Sequence, residues 1–353
     1  MRVVFFTPSL ASNSLGRTYS LWLLTEALGW EAVIIAPRAE PIWEPLAESG
    51  FADRCIPLSA ADQLDVAHLF IAVKPTEQSF GVAQRLAEYH DKPLLLDIDD
   101  PDIEAALSWR SPVRRLAKGL LRASQIRSFK RLRRQAKMAH TIVSNPILQK
   151  IYGGEIIPHV REQRPAGPSR TTRNPMIVFV GTNRKHKGLH ILRRAVERRQ
   201  DLGYTLTITD QAPADAKRWE RWIGTTSLAE GLEIVDSGDV VVIPSTRGGF
   251  ARGQLPAKLV DAMLSGRAII VTDIEPMPWA LGAAGITIRP SSVSALATAL
   301  GETADPARRE TIGVAAHERA VELFSVESNS TVFAGAARAA IDTHQHGKRS
   351  ESR

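Results

Sequence analysis

Nine short β-rich runs limit what this chain can become. RVVFF (2–6), AVIIA (32–36), VAHLFIAV (66–73), PLLLDI (93–98) and TIVS (141–144) come first, then MIVFVG (176–181), TLTIT (205–209), DVVVIP (239–244) and AIIVT (268–272). They are nearly continuous in apolar residues instead of alternating, the pattern of parallel strands covered on both faces. Helical patterns lie between them: around 17–29, Leu21, Leu24 and Leu28 recur at helical spacing. The predicted fold is α/β, two Rossmann-like doubly wound domains with a cleft between them, and 353 residues suit about two domains. The proline-rich, polar stretch 161–175 reads as a linker between one domain (1–160) and a second (176–330). The remainder, 331–353, is expected to form a helix and a frayed tail, because THQHGKRSESR (343–353) offers nothing to a core.

In such sheets ligands bind beyond the carboxyl ends of the strands, so the loops there hold the informative residues. VFVGTNRKHKGLHIL (178–192) ends a strand at Gly181 and places Lys185 and Lys187 at the mouth of a helix beginning near Gly188. A helix N-terminus is already electropositive, and cations beside it are unfavourable unless an anion joins them. A solvated basic turn is the plain alternative. GQLPAKLVDAMLSG (253–266) repeats the logic: Pro256 suits the first helical turn, Gly266 the stop, and Lys258 again sits at the wrong end for a cation. Asp261, one turn on, is either the partner of a surface i,i+3 ion pair with Lys258 or an acceptor for two hydroxyls such as a ribose diol. In the first strand–helix turn, Gly16 and Arg17 stand where a backbone could approach a phosphorylated ligand, without the G-x-G-x-x-G spacing of a dinucleotide site.

FVGTNRKHKGLHIL, DVVVIPS (239–245) and PAKLVDAMLSGRAIIVTD (256–273) together resemble the C-terminal domain of GT-B-fold, GT4-like (group 1) retaining glycosyltransferases. VSNPILQKIYGGEIIPHV (143–160) is similar to that family's passage out of its N-terminal domain. The resemblance implies a hexosyltransferase that takes its sugar from a nucleoside diphosphate. It places Lys185, Lys187 and Lys258 on the donor diphosphate, for which the strand–helix turns make Gly16, Arg17 and Gly181 further candidates. Asp261, with Gln254, Leu255 and Arg252, falls on the ribose and sugar. Asp261 stands for the second glutamate of the family's E-x7-E pair, whereas the first falls on Gly253, a departure that leaves the donor's identity open. Backbone N–H groups near Gln254 and Leu255 are the substitute contacts, and Arg252 is a candidate for donor binding or a solvated loop arginine.

LLLDIDDPD (94–102) ends a strand in carboxylates. Asp99 and Asp97, with Lys187, are the candidate catalytic residues, the aspartates by orienting an acceptor hydroxyl or accepting its proton. Capping of the following turn is the structural alternative. No metal site and no cofactor are expected: D-x-D metal binding belongs to another glycosyltransferase fold, and the lysines can neutralise a diphosphate. His159 at the domain junction reads as a linker residue, and protonation of His186 is disfavoured by its lysine neighbours.

The sequence from Leu107 to His140 has eleven Lys or Arg and no Asp or Glu, with Ile126, Phe129, Leu132 and Ala136 at helical spacing. Such a segment suits an anionic membrane surface or a solvated face; no aromatic stacking platform or known DNA-binding motif accompanies it, so nucleic acid is not an expected partner. The net charge of +7 fits an anionic partner, and a single cysteine, Cys55, fits a reducing cytoplasm. The expected partners are therefore a nucleotide sugar and a hydroxyl acceptor, a sugar or a lipid-linked or cell-envelope glycan, with the protein cytoplasmic or peripheral on the membrane's inner face. The rival readings are a nucleotide-sugar-binding protein without turnover, favoured by Gly253, and a nucleic-acid-binding protein acting through 107–140.

Overall fold

All nine runs become parallel strands. In the computed structural model, which describes residues 1–61, 64–107, 123–167, 174–181, 184–248 and 251–351, the chain forms two units: Met1–Val160 with Val326–Arg353, and Arg161–Ser325.

The first unit carries β1 (Arg2–Phe6), β2 (Glu31–Ala36), β3 (Cys55–Pro57), β4 (Leu69–Val73), β5 (Leu94–Ile98), β6 (His140–Val143) and β7 (Glu155–Ile156) in the order β3-β2-β1-β4-β5-β6-β7. Every pairing is parallel, with Val3 opposite Ala32 on one side and Leu69 on the other. Its helices are α1 (Ser14–Ala27), α2 (Val82–His90), α3 (Asp102–Leu107), α4 (Ala123–Ala136) and α5 (Pro146–Tyr152). The run at 66–73 contributes only its last five residues, all buried; Val66 is in the preceding loop and exposed.

The second unit has β8 (Met176–Phe179), β9 (Thr205–Ile208), β10 (Glu220–Trp222), β11 (Val240–Ile243), β12 (Ala268–Thr272) and β13 (Ile286–Ile288), ordered β10-β9-β8-β11-β12-β13 and again wholly parallel. Helices α6 (Leu189–Arg198), α7 (Leu228–Ser237), α8 (Ala257–Leu264), α9 (Met277–Leu281), α10 (Val293–Glu302) and α11 (Pro306–Phe324) cover both faces. β11 explains the apolar run: Val241 and Ile243 enter one core, Val240 and Val242 the other. Helix α7 is started by a capping box, with Ser227 and Glu230 each accepting from the other's backbone N–H. In both sheets the strand order reverses at the first strand of the unit, which places the switch points at the ends of β1/β4 and β8/β11.

Two expectations change. The chain leaves the second unit at Ser325, and helix Val326–Glu351 returns to the first, packing on α1, β5 and β6 with Phe333 5.7 Å from the ring of Trp30. The tail therefore does not fray at 343: His344 and Lys348 both reach Asp91, and the helix propagates through residues that have no core role of their own. The linker 161–175 is also not a free tether in its described part. Arg161 N–H donates to the Phe324 carbonyl at 2.9 Å and Gly167 N–H to that of Ser265 at 3.1 Å, tying Arg161–Gly167 onto the second unit. Among the described residues, no helix is long and apolar enough to cross a membrane.

Candidate active site

The loop after β8 is shaped by two glycines. Gly181 has φ +112° and donates its N–H to Thr209 Oγ1 at 2.6 Å. Gly188, at φ +71°, lies so close to β11's end that a Cβ would fall 1.9 Å from the Pro244 carbonyl oxygen, so no other residue fits. Thr246 N–H donates to His186 carbonyl at 2.8 Å, fastening the single turn Lys185–Lys187 across the switch point. The K-G pair in the sequence is thus a lysine presented where the backbone must turn back on β11.

Lys187 folds over Gly181, its ammonium 3.2 Å from where a Cβ would stand. Lys258, in the first turn of α8, donates to the Val180 carbonyl at 3.1 Å and lies 4.5 Å from the centre of the Phe179 ring. Pro256 caps that helix and Gly266, at φ +64°, ends it. Both ammoniums are held below the ordinary lysine range: Lys258 well below, by burial and then by Lys187, and Lys187 by burial and then by Arg184, with Asp210 opposing. Two desolvated lysines at one strand end, beside the N-termini of α6 and α8, suit an anion. Lys185 is exposed at the other end of the turn. His186 is kept neutral by burial and its cationic neighbours.

The i,i+3 pair of Lys258 with Asp261 does not form. Asp261 Oδ1 accepts instead from Arg161 Nε at 2.8 Å, and its carbonyl accepts from Arg164 at 3.1 Å. Gly253, at φ +96°, donates to the Glu275 carbonyl, a conformation that suits no glutamate. The Leu255 side chain is in the core, leaving only its backbone for a ligand, with Gln254 half-buried and Arg252 exposed beside it.

The first unit corrects two assignments. Arg17 is fully buried in α1: Nε and Nη2 bind Asp97 at 3.0 and 2.6 Å, Nη2 the Ile157 carbonyl at 2.7 Å, and Nη1 the Pro158 carbonyl at 2.6 Å. Burial opposes the charge on Arg17, and Asp97 more than restores it. A guanidinium so occupied cannot take a diphosphate, and Asp97, wholly enclosed with it, cannot touch an acceptor. At Gly16 a Cβ would stand 3.2 Å from the indole of Trp43, which packs on it.

Asp99 belongs to a different group. Lys74 Nζ lies 2.9 Å from Asp99, 2.8 Å from Asp100 and 3.0 Å from Asp102. Its backbone is in the left-handed region at φ +74°, which a lysine adopts only when its surroundings hold it there. Burial would raise the Asp99 carboxyl, but Lys74, Arg17 and His159 outweigh it and hold Asp99 ionised. Asp100 is pushed up to about 6 by burial and by Asp99. The three carboxylates could hold a metal ion, and Lys74 supplies the cation among them. The D-x-D spacing is therefore split, Asp97 to Arg17 and Asp99 to Lys74. Lys74 was legible only as a lysine directly after a buried strand.

Of the basic stretch 107–140, residues 108–122 lie outside the described residues, and Ala123–Ala136 is helical as its spacing predicts.

Residues 174–305 match the family described as Glycosyl transferases group 1. No curated protein matches the sequence significantly. Three solved structures share the fold. Sucrose-phosphate synthase from Thermosynechococcus elongatus has a TM-score of 0.71 at 15% identity over 97% of this chain and 100% of that one. Alr3699/HepE from Anabaena, solved with UDP-glucose, has 0.71 at 14% over 96% and 100%. A glycosyltransferase from Rickettsia africae has 0.64 at 12% over 98% of each. The two-unit α/β fold is that of the GT-B glycosyltransferases.

Proposed function

Because residues 174–305 match the family described as Glycosyl transferases group 1, we propose transfer of a hexose from a nucleoside-diphosphate sugar to a hydroxyl acceptor. The supporting observation is the desolvated pair Lys187 and Lys258 at the end of β8. In the reaction the bond from C1 to the diphosphate oxygen breaks, the sugar passes through an oxocarbenium-like state, and negative charge grows on the departing phosphate. Cations already stripped of water beside helix N-termini bind that charge without reorganising. Lys187 and Lys258 hold the diphosphate, Gly181 gives it room, and Lys185 reaches it from the exposed end of the turn. Asp261 takes the ribose, and the backbone at Gln254 and Leu255, with Arg252, the sugar. The acceptor is a sugar or a lipid-linked or envelope glycan, and the protein works in the cytoplasm or at the membrane's inner face.

Retention at C1 and independence of metal belong to the same reading: the lysines supply the counter-charge, so chelators leave turnover unchanged, and the product's anomeric coupling matches the donor's. The test is a thermal-shift screen of UDP, GDP and their sugars, followed by Lys187→Ala. The variant is expected to fold but to lose on the order of 100- to 1,000-fold in kcat, by analogy with loss of an anion-hole donor; near-normal turnover refutes the assignment. Gly253 favours a second reading, binding without transfer, and nucleotide released from a stabilising donor separates the two.

A further inference from the structure

The first unit has a second basic surface that the donor reading does not use. Helices α3 and α4 border a groove of about 820 Å³. Its apolar lining is Leu107, Ile126 and Met138, the last 82% exposed, a large solvent exposure for a thioether side chain. Among the described residues its polar lining is cationic: Lys130, Arg134 and Lys137 make no salt bridge there, and Arg133 pairs with Glu104 at 3.1 Å. Leu132 and Ala136 face the core, so the groove is α4's other side and not a defect in its packing.

We propose that this groove seats an anionic phospholipid of a membrane surface. A purely electrostatic partner such as duplex nucleic acid needs the cations but gains nothing from an apolar floor. An uncharged apolar partner gains nothing from the ring of cations. A lipid with a phosphate headgroup and an acyl chain satisfies both, with the headgroup at Lys130, Arg134 and Lys137 and the chain along Leu107, Ile126 and Met138. The proposal adds a partner to the transferase reading and supplies a reason for a lipid-linked acceptor.

The experiment is co-sedimentation of the full chain with phosphatidylglycerol–phosphatidylcholine vesicles and with phosphatidylcholine alone. Binding is expected only to the anionic vesicles. The triple variant Lys130→Gln, Arg134→Gln, Lys137→Gln should weaken it on the order of 100-fold, about fivefold per cation, and Met138→Gln about fivefold. Equal binding to neutral vesicles, no effect of Met138→Gln, displacement by millimolar inorganic phosphate, or equally tight binding to duplex DNA would each overturn the lipid assignment. Stabilisation of the triple variant by UDP reports separately on the donor site. An unmutated chain that binds no anionic vesicles yet is stabilised by UDP removes only this inference, whereas one that binds them without stabilisation by UDP removes only the donor reading.

Discussion

The two units carry sheets of the same doubly wound order and gather opposite charges at the carboxyl ends of different strands. At the carboxyl end of β5 the first unit gathers Asp97, Asp99, Asp100 and Asp102, and it answers them from within, with Arg17 and Lys74. At the end of β8 the second unit gathers Lys187 and Lys258, and the forces on Lys258 include no acid at all. A charge cluster whose members are ion-paired within their own fold reports on folding. One that repels itself, in a place where water is scarce, reports on what must bind there.

Four measurements would break or sharpen that contrast. The largest effect is expected at Arg17→Met, which strands Asp97 in the core: a loss of about 3–5 kcal/mol in urea unfolding, with little change in nucleotide affinity for any molecules that stay folded. Equal damage to both would erase the distinction between the clusters. Next, Lys258→Met should cost on the order of 100-fold or more in turnover while the thermal midpoint of the ligand-free protein stays level or rises, since an unpaired desolvated charge is replaced by an apolar chain. A falling midpoint would mean that Lys258 is structural after all.

The third is a pH titration of UDP binding by calorimetry. Bound diphosphate favours protonated lysines, so their pKa values rise on binding. Affinity is then full below the depressed values and falls, by up to about tenfold per unit per lysine, as pH climbs from them toward the ordinary range. Proton uptake should accompany binding, and Lys258→Met should remove its share. The smallest effect concerns Asp100, whose folded value of about 6 lies above its unfolded one. Its contribution to stability is present below the unfolded value and is lost as pH rises through about 6, with a slope near 1 kcal/mol per unit. Asp100→Asn should flatten that stretch of the stability–pH curve.

The same contrast explains what could be read in advance. The buried strands announced themselves because a parallel strand covered on both faces leaves an uninterrupted apolar run. β3, β7, β10 and β13, of two or three residues each, are too short to leave one. Lys187 with Gly188 and Lys258 with Pro256 were visible because each lies next to the residue that shapes its backbone. Arg17 and Asp97 are eighty positions apart, and their pairing leaves no local mark, so an arginine in a first turn looked like an anion ligand. Lys74 and Asp99 likewise meet only across neighbouring strands. Asp261 could be placed on its helix, but its partner Arg161 came from a stretch whose prolines suggested slack chain.

The return of helix Val326–Glu351 to the first unit has a consequence for the order of events at the ribosome. The first unit is assembled from two distant pieces, and the whole second unit is inserted between them. Its α1 face, with Trp30, waits for Phe333, which emerges only after every residue of the second unit. The part of the protein translated first is therefore the part that finishes last, and a nascent chain halted near Ser325 would display a completed second unit beside an unfinished first.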